Sequence, residues 1–92
     1  MTMLVLPARL THDQARPCSR MLTQALRSQP ESAVVADAGA LSHFDSSALA
    51  VLLDCRREAL ALGKSFSVSR LPTRLRELAK LYGVAELLPA AP

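Results

Sequence analysis

Aromatic side chains are nearly missing from this chain: Phe44, Phe66 and Tyr82 are the only three in 92 residues, and there is no tryptophan. A core must therefore be assembled from leucine, valine and alanine. Nucleic-acid binding is also disfavoured despite a net charge of +3, because no ring interleaves with the cations to stack on bases. Long apolar runs are missing too. The longest, Ala48 to Leu53, falls far short of the roughly 20 residues that a membrane-crossing helix needs. Met1 to Leu6 is too short for a secretory signal and has no basic start. With glycine only at positions 39, 63 and 83, there is no glycine-rich loop to cradle a phosphate. Two cysteines (Cys18, Cys55) and two histidines (His12, His43) show no paired spacing, so neither a metal site nor any other cofactor site is signalled. In the absence of an export signal the cysteines read as two reduced, buried thiols of a cytoplasmic protein, ahead of the alternative of a disulfide between them.

What the chain does have is apolar bulk. Half of its residues are hydrophobic, enough for one modest core and hence one domain over residues 1–92. Met3 to Leu6 reads as a strand closed by Pro7, and Arg9 to Thr11 as a second, brief one. A helix follows, from about Asp13 or Arg16 to Arg27. Pro17 belongs in its first turn, where a missing N–H costs least, and Met21, Leu22, Ala25 and Leu26 form its apolar stripe. Ala33 to Ala36 is a continuous apolar run, as in a central strand covered on both faces. A second helix covers about Ser46 to Leu62 and stops at Gly63. Phe66 and Val68 alternate with serines, the pattern of a strand with one buried face. A third helix opens at Pro72 or Thr73, packs Leu75, Leu78, Ala79 and Tyr82 on one side, and closes at Gly83. Strand and helix alternating in this way imply parallel crossovers and an α/β layer. Ala90-Ala91-Pro92 reads as a disordered tail or as a short arm that packs on a partner.

The second helix carries two apolar ridges. Ala48, Val51, Leu52, Cys55, Ala59 and Leu62 share one stripe at 100° per residue, with the width of a core face. Leu49, Leu53 and Leu60 form a second ridge roughly 100° away, flanked by Arg56 and Arg57. This ridge either widens the core contact or stays outside as an apolar patch rimmed by arginine, the makeup of a docking surface. At the head of the same helix stand Asp45, Ser46 and Ser47. A helix start leaves backbone N–H groups unpaired at the positive end of the dipole. A hydroxyl there can cap the helix, bind an anion or accept a phosphate. Ser46, Leu49, Leu53 and Arg57, at i, i+3, i+7 and i+11, would then share one face.

Charge is uneven. From Arg56 to Lys80 there are seven basic residues against two acidic ones, Glu58 and Glu77. Such a stretch can face an acidic protein or anionic headgroups, or be a solvated helix face. Enzymatic chemistry has little to build on. Ser46 and Ser47 lack the G-x-S-x-G elbow, and His43, three residues before Ser46, reads as a polar loop histidine before it reads as a base. No catalytic residue is assigned.

Asp45-Ser46-Ser47-Ala48-Leu49, placed after a hydrophobic strand and within this order of elements, resembles the STAS domain over essentially the whole chain. The resemblance implies an α/β fold with a small mixed sheet of about four strands and about three to four helices packed on it. STAS domains include anti-sigma factor antagonists, in which the first hydroxyl after the aspartate accepts a phosphate; that position is Ser46, although glycine is usual where this chain has Ala48. The ending, Leu78-Ala79-Lys80-Leu81-Tyr82-Gly83-Val84 and then Leu87-Leu88-Pro89, is similar to that of the STAS subunit of the Mla phospholipid-transport system. There threonine is typical at the position of Ser46. This branch implies an accessory subunit that docks on the ATPase of an ABC transporter, in a complex with the membrane permease. Such a subunit is peripheral to the inner membrane, with no membrane insertion, and serves outer-membrane lipid asymmetry. The partner-binding residues would be Asp45, Ser46, Ser47, Leu49, Leu53, Arg56 and Arg57. The other branch implies an antagonist switched by phosphorylation of Ser46.

Overall fold

The computed structural model describes residues 1–91. Along them run β1 (Thr2–Val5), β2 (Arg9–Leu10), α1 (His12–Ser28), β3 (Ala33–Asp37), β4 (His43–Phe44), α2 (Ser47–Ala61), β5 (Ser65–Ser69) and α3 (Thr73–Leu81), then a 3-10 turn over Ala85–Leu87. The main sheet has the order β1-β3-β5, and β2 pairs with β4 in a separate two-stranded ladder. Every pairing is parallel, where a mixed sheet was expected. The cause is connectivity: each strand reaches its partner through a crossover that contains a helix, and such a crossover returns the chain in the same direction.

Register fixes which residues face the helices. Thr2, Val34 and Phe66 stand side by side across the sheet, as do Leu4, Ala36 and Val68, and all six are buried. The alternate row, Met3, Val35 and Ser67, points the other way. There Met3 is 47% exposed and its neighbour Val5 60%. The sheet is therefore covered by helices on one face only, not on both as the apolar run in β3 suggested. Val35 is buried yet stands outside the core cluster, shaded by the flanking strands.

The core lies between this sheet and the helices, and joins Leu6, Leu10, Leu22, Leu26, Leu52 and Leu75 into one cluster. In α1 the buried line is Cys18, Leu22 and Leu26; Met21, expected in the stripe, is 57% exposed. The helix also starts earlier than Pro17 suggested. The Thr11 N–H and hydroxyl both donate to Gln14 Oε1, at 2.9 and 2.6 Å, which draws the start back to His12 and leaves Pro17 inside the helix, in its second turn. Pro17 is exposed, so water can satisfy the carbonyl it leaves free. At the other end Lys64 Nζ donates to the carbonyls of Leu26, at 2.9 Å, and of Gln29, where a cation suits the negative end of the dipole.

In α3, Leu75 and Ala79 are buried, but Tyr82, expected beside them, is 57% exposed, because the helix ends at Leu81 and Gly83 turns the chain away at φ +73°. The C-terminal segment has a third role beyond the two expected. Val68 N–H donates to the Pro89 carbonyl and Ala91 N–H to the Val68 carbonyl, each at 2.8 Å, so the segment lines the outer edge of β5 as a parallel bridge. Pro92 lies outside the described residues.

Candidate functional site

Asp45 organises the head of α2. Its Oδ1 accepts the Ser47 N–H at 2.8 Å, which caps α2. Its Oδ2 accepts the His12 N–H at 3.1 Å, the first residue of α1. One carboxylate thus serves two helix starts, each with free N–H groups and a positive dipole end. The Ser47 N–H, and after it that of His12, hold the Asp45 carboxyl below the usual aspartate range. Ser46 is the residue before the helix and makes no side-chain cap bond. Aspartate caps, and the exposed Ser46 hydroxyl is left without a structural task. Ser47 is half-buried and turns toward α1, into a groove between the two helices that is also lined by His12, Arg16, Arg20 and Asp54. His43 sits on β4 and is exposed; among the described residues it makes no hydrogen bond to Ser46.

The two ridges of α2 separate unequally. Ala48, Val51, Leu52, Cys55 and Ala59 are buried, as the first stripe required, while Leu62, at the C-terminal cap, is 43% exposed. Leu49 is only 3% exposed and belongs to the core. It is therefore not a partner-binding residue. The second ridge thus divides along the helix: its first residue joins the core cluster with Ala48 and Leu52, and its later residues do not. Leu53 is half-buried and Leu60 is 48% exposed. With Ala50 and Leu87 of the 3-10 turn they form a shallow apolar surface rimmed by Arg56, Arg57 and Asp54. At 100° per residue, Ser46, Ala50, Leu53, Arg57 and Leu60 fall on one outward arc. The structure thus brings Ser46, Leu53, Arg56 and Arg57 to one side of the molecule, with Asp45 at its upper end, and turns Ser47 away from it into the groove with α1. Leu87 was not foreseen; it is distant in sequence, and only the fold places it beside Leu60.

Part of the basic stretch is occupied internally. Arg57 pairs with Asp54 on the same helix, and the other carboxylate oxygen of Asp54 accepts the Ser19 hydroxyl of α1 at 3.0 Å. Arg70 donates twice to Asp37, at 3.1 and 2.7 Å. The Gly39 N–H bonds the same carboxylate at 2.9 Å, which fastens the loop leading from β3 toward the head of α2. A Cβ on Gly39 would fall 2.4 Å from Arg70 Cζ, and Arg70 itself stands at φ +54°. Among the described residues Arg56, Arg74, Arg76 and Lys80 have no acidic partner within ion-pair distance. Both cysteines are free and buried; burial pushes the Cys55 thiol up to about 12, with smaller contributions from Cys18 and Asp54. No helix among the described residues is long and apolar enough to cross a membrane.

Comparison with known proteins gives a family and a fold. The profile of the family described as "Mlab, STAS domain" matches residues 1–89. Among solved structures the chain is similar to the anti-sigma factor antagonist SpoIIAA in its unphosphorylated form, with a TM-score of 0.73 and 16% identity over 99% of this chain and 81% of that one. At that identity the likeness is one of fold. No curated protein matches.

Proposed function

Because the chain belongs to the STAS domain family, in its MlaB-like branch, we propose that it is an accessory subunit of an ABC-type phospholipid transporter and acts by binding the ATPase subunit. The observation that carries this reading is the outward surface of α2: Leu53, Leu60 and Leu87, with Ala50, rimmed by Arg56, Arg57 and Asp54. Apolar centre and arginine rim are the composition of protein interfaces, where arginine combines bidentate bonding with weak hydration. Ser46, with Asp45 beside it, completes the surface at the head of the helix, while Ser47 turns into the groove with α1. Covering a leucine fully is worth about 1.5–3 kcal/mol, and part of that is lost to the entropy of association. Binding raises transporter activity only to the extent that this surface prefers the productive conformation of the ATPase.

The test is co-purification with the ABC ATPase encoded nearest to it. Leu53→Asp and Leu60→Asp each place a charge in the apolar centre and should abolish the complex; melting should stay near the wild type in Leu60→Asp, which is exposed, and fall in Leu53→Asp, which packs against the core. A complex that survives both substitutions removes this surface from the mechanism. A second reading is favoured by one observation, the exposed Ser46 hydroxyl at a helix start in a fold shared with an anti-sigma factor antagonist. There, phosphorylation would add about −1.5 to −2 charge beside Asp45 and drive off or reorder a partner. Intact-mass measurement after incubation with a kinase encoded beside it decides this: a single phosphate lost in Ser46→Ala supports the switch, and an unmodified chain removes it.

A further inference from the structure

On the side of the domain away from the groove between α1 and α2, β5, α3 and the C-terminal segment enclose a slot of about 280 Å3. Its floor is apolar: the half-buried Leu71 and Ala85 line it, above Val68, Ala79 and Leu88, which are each less than 7% exposed. Its rim carries Arg76 and Lys80, both exposed and both without an acidic partner among the described residues. The wall opposite α3 is made by Pro89 and Ala90, held on β5 by the two 2.8 Å bonds to Val68. The slot is thus built by the fold's own hydrogen bonding and is not a gap between loose side chains. Its size is close to the lower end of the roughly 300–1,000 Å3 of small-molecule sites.

We propose that this slot binds a single-chain amphipathic anion, an aliphatic tail with a carboxylate or phosphate head. The tail lies against Leu71, Ala85 and Pro89, over the buried Val68, Ala79 and Leu88, and the head meets Arg76 and Lys80. Each half of the ligand answers one half of the site. A purely apolar molecule leaves the two cations unused, and a small anion such as acetate leaves the apolar floor wet. Arginine and lysine on one helix, four residues apart, stand on the same side of it and can share one head group through charge-assisted hydrogen bonds. The ligand does not touch the α2 surface, so the proposal is independent of how that surface is used.

The full-length chain, labelled with 15N, is titrated with decanoate and, separately, with a decanoyl lysophospholipid of anionic head group, both kept below micelle formation. Saturable amide shifts at Val68, Ala79, Lys80 and Ala90 are expected with at least one of them. Decanoate alone points to a free fatty acid, the lysophospholipid alone to a lipid head group, and both to the shared chemistry. Decanol should bind at least tenfold more weakly, and acetate should not saturate. The double variant Arg76→Glu/Lys80→Glu changes only exposed side chains and should lose at least tenfold in affinity, with α1 amides unmoved as a check on the fold. Ala90→Phe, which narrows the slot from its rim, should weaken binding without altering the charge. No saturable binding of either amphiphile overturns the proposal. So does equal affinity in the double variant, or a set of shifts confined to α2.

Discussion

Leu49 and Leu60 stand on the same ridge of α2, and replacing each with alanine deletes the same atoms from two different surroundings. Leu49 is 3% exposed and Leu60 48%. Truncating a fully buried leucine costs about 2–5 kcal/mol, because transfer free energy and a residual cavity add. Leu49→Ala should therefore cost about 3 kcal/mol, against the roughly 5–14 kcal/mol total stability of a domain this size. For a domain of this length each kcal/mol shifts the melting temperature by about 4–8 °C, so the melt should fall by roughly 12–24 °C. Leu60→Ala removes a half-exposed side chain and adds a better helix former, and should stay within about 0.5 kcal/mol of the wild type. Urea unfolding followed by circular dichroism measures both; the midpoint should move in Leu49→Ala with the slope unchanged. Equal losses in the two variants would show that the ridge is one surface, and the assignment of Leu49 to the core and Leu60 to the outside would be wrong. In the co-purification assay the order should reverse. Leu60→Asp should abolish capture of the ATPase, and Leu49→Ala should retain it at temperatures below its own melt.

Other expectations concern single groups. Hydrogen bonds from the Ser47 and His12 N–H groups lower the Asp45 pKa, and the Arg70 guanidinium, with the Gly39 N–H, lowers that of Asp37. A carboxylate whose pKa is depressed on folding adds stability that is complete above the unfolded value of about 3.9 and is lost as pH falls through the folded one. Stability should therefore be level from neutral pH down to about 5 and drop below about 4; Asp45→Asn and Asp37→Asn should each flatten that acid limb in a pH series of urea midpoints. Gly63 and Gly83 both stand at φ +73° with no atom near a prospective Cβ. Alanine at either position should thus cost about 1–2 kcal/mol from backbone conformation alone, read as a drop in melting temperature. Neither cysteine should react with a thiol reagent at pH 8 in the folded chain, and both should react in urea, since burial keeps the Cys55 thiol protonated up to about 12 and thiolate is the reacting form. Rapid native labelling of Cys55 would contradict the packing around α2.

The elements with strong periodicity were legible. The buried stripe of α2, the alternation in β5 and the run in β3 appear where hydrophobic pattern places them, because pattern reports which side chains leave water. The two short strands fared unequally. Arg9–Leu10 was foreseen, but β4 has two residues and no pattern to read; it exists through pairing with β2, a long-range contact. The sidedness of the sheet was also hidden. Val34, Val35 and Ala36 are all apolar and all buried, yet Val35 owes its burial to neighbouring strands and not to a covering helix. At the site, the sequence placed Asp45, Ser46 and Ser47 at a helix start but left open which of them caps. That choice depends on His12, 33 residues away. Angle alone put Leu49 beside Leu53, since a helical wheel carries no information on how far the rest of the molecule reaches along the axis. Of the basic stretch, Arg57, Lys64 and Arg70 are spoken for by Asp54, two carbonyls and Asp37, partners that composition could not assign.

The carboxylate of Asp45 is a hinge pin common to two rods. It has one oxygen on the head of α1 and the other on the head of α2. Deleting that carboxylate would therefore leave an N–H without its partner at both helix starts at once. The joint between the two helix starts is a side chain that water can reach.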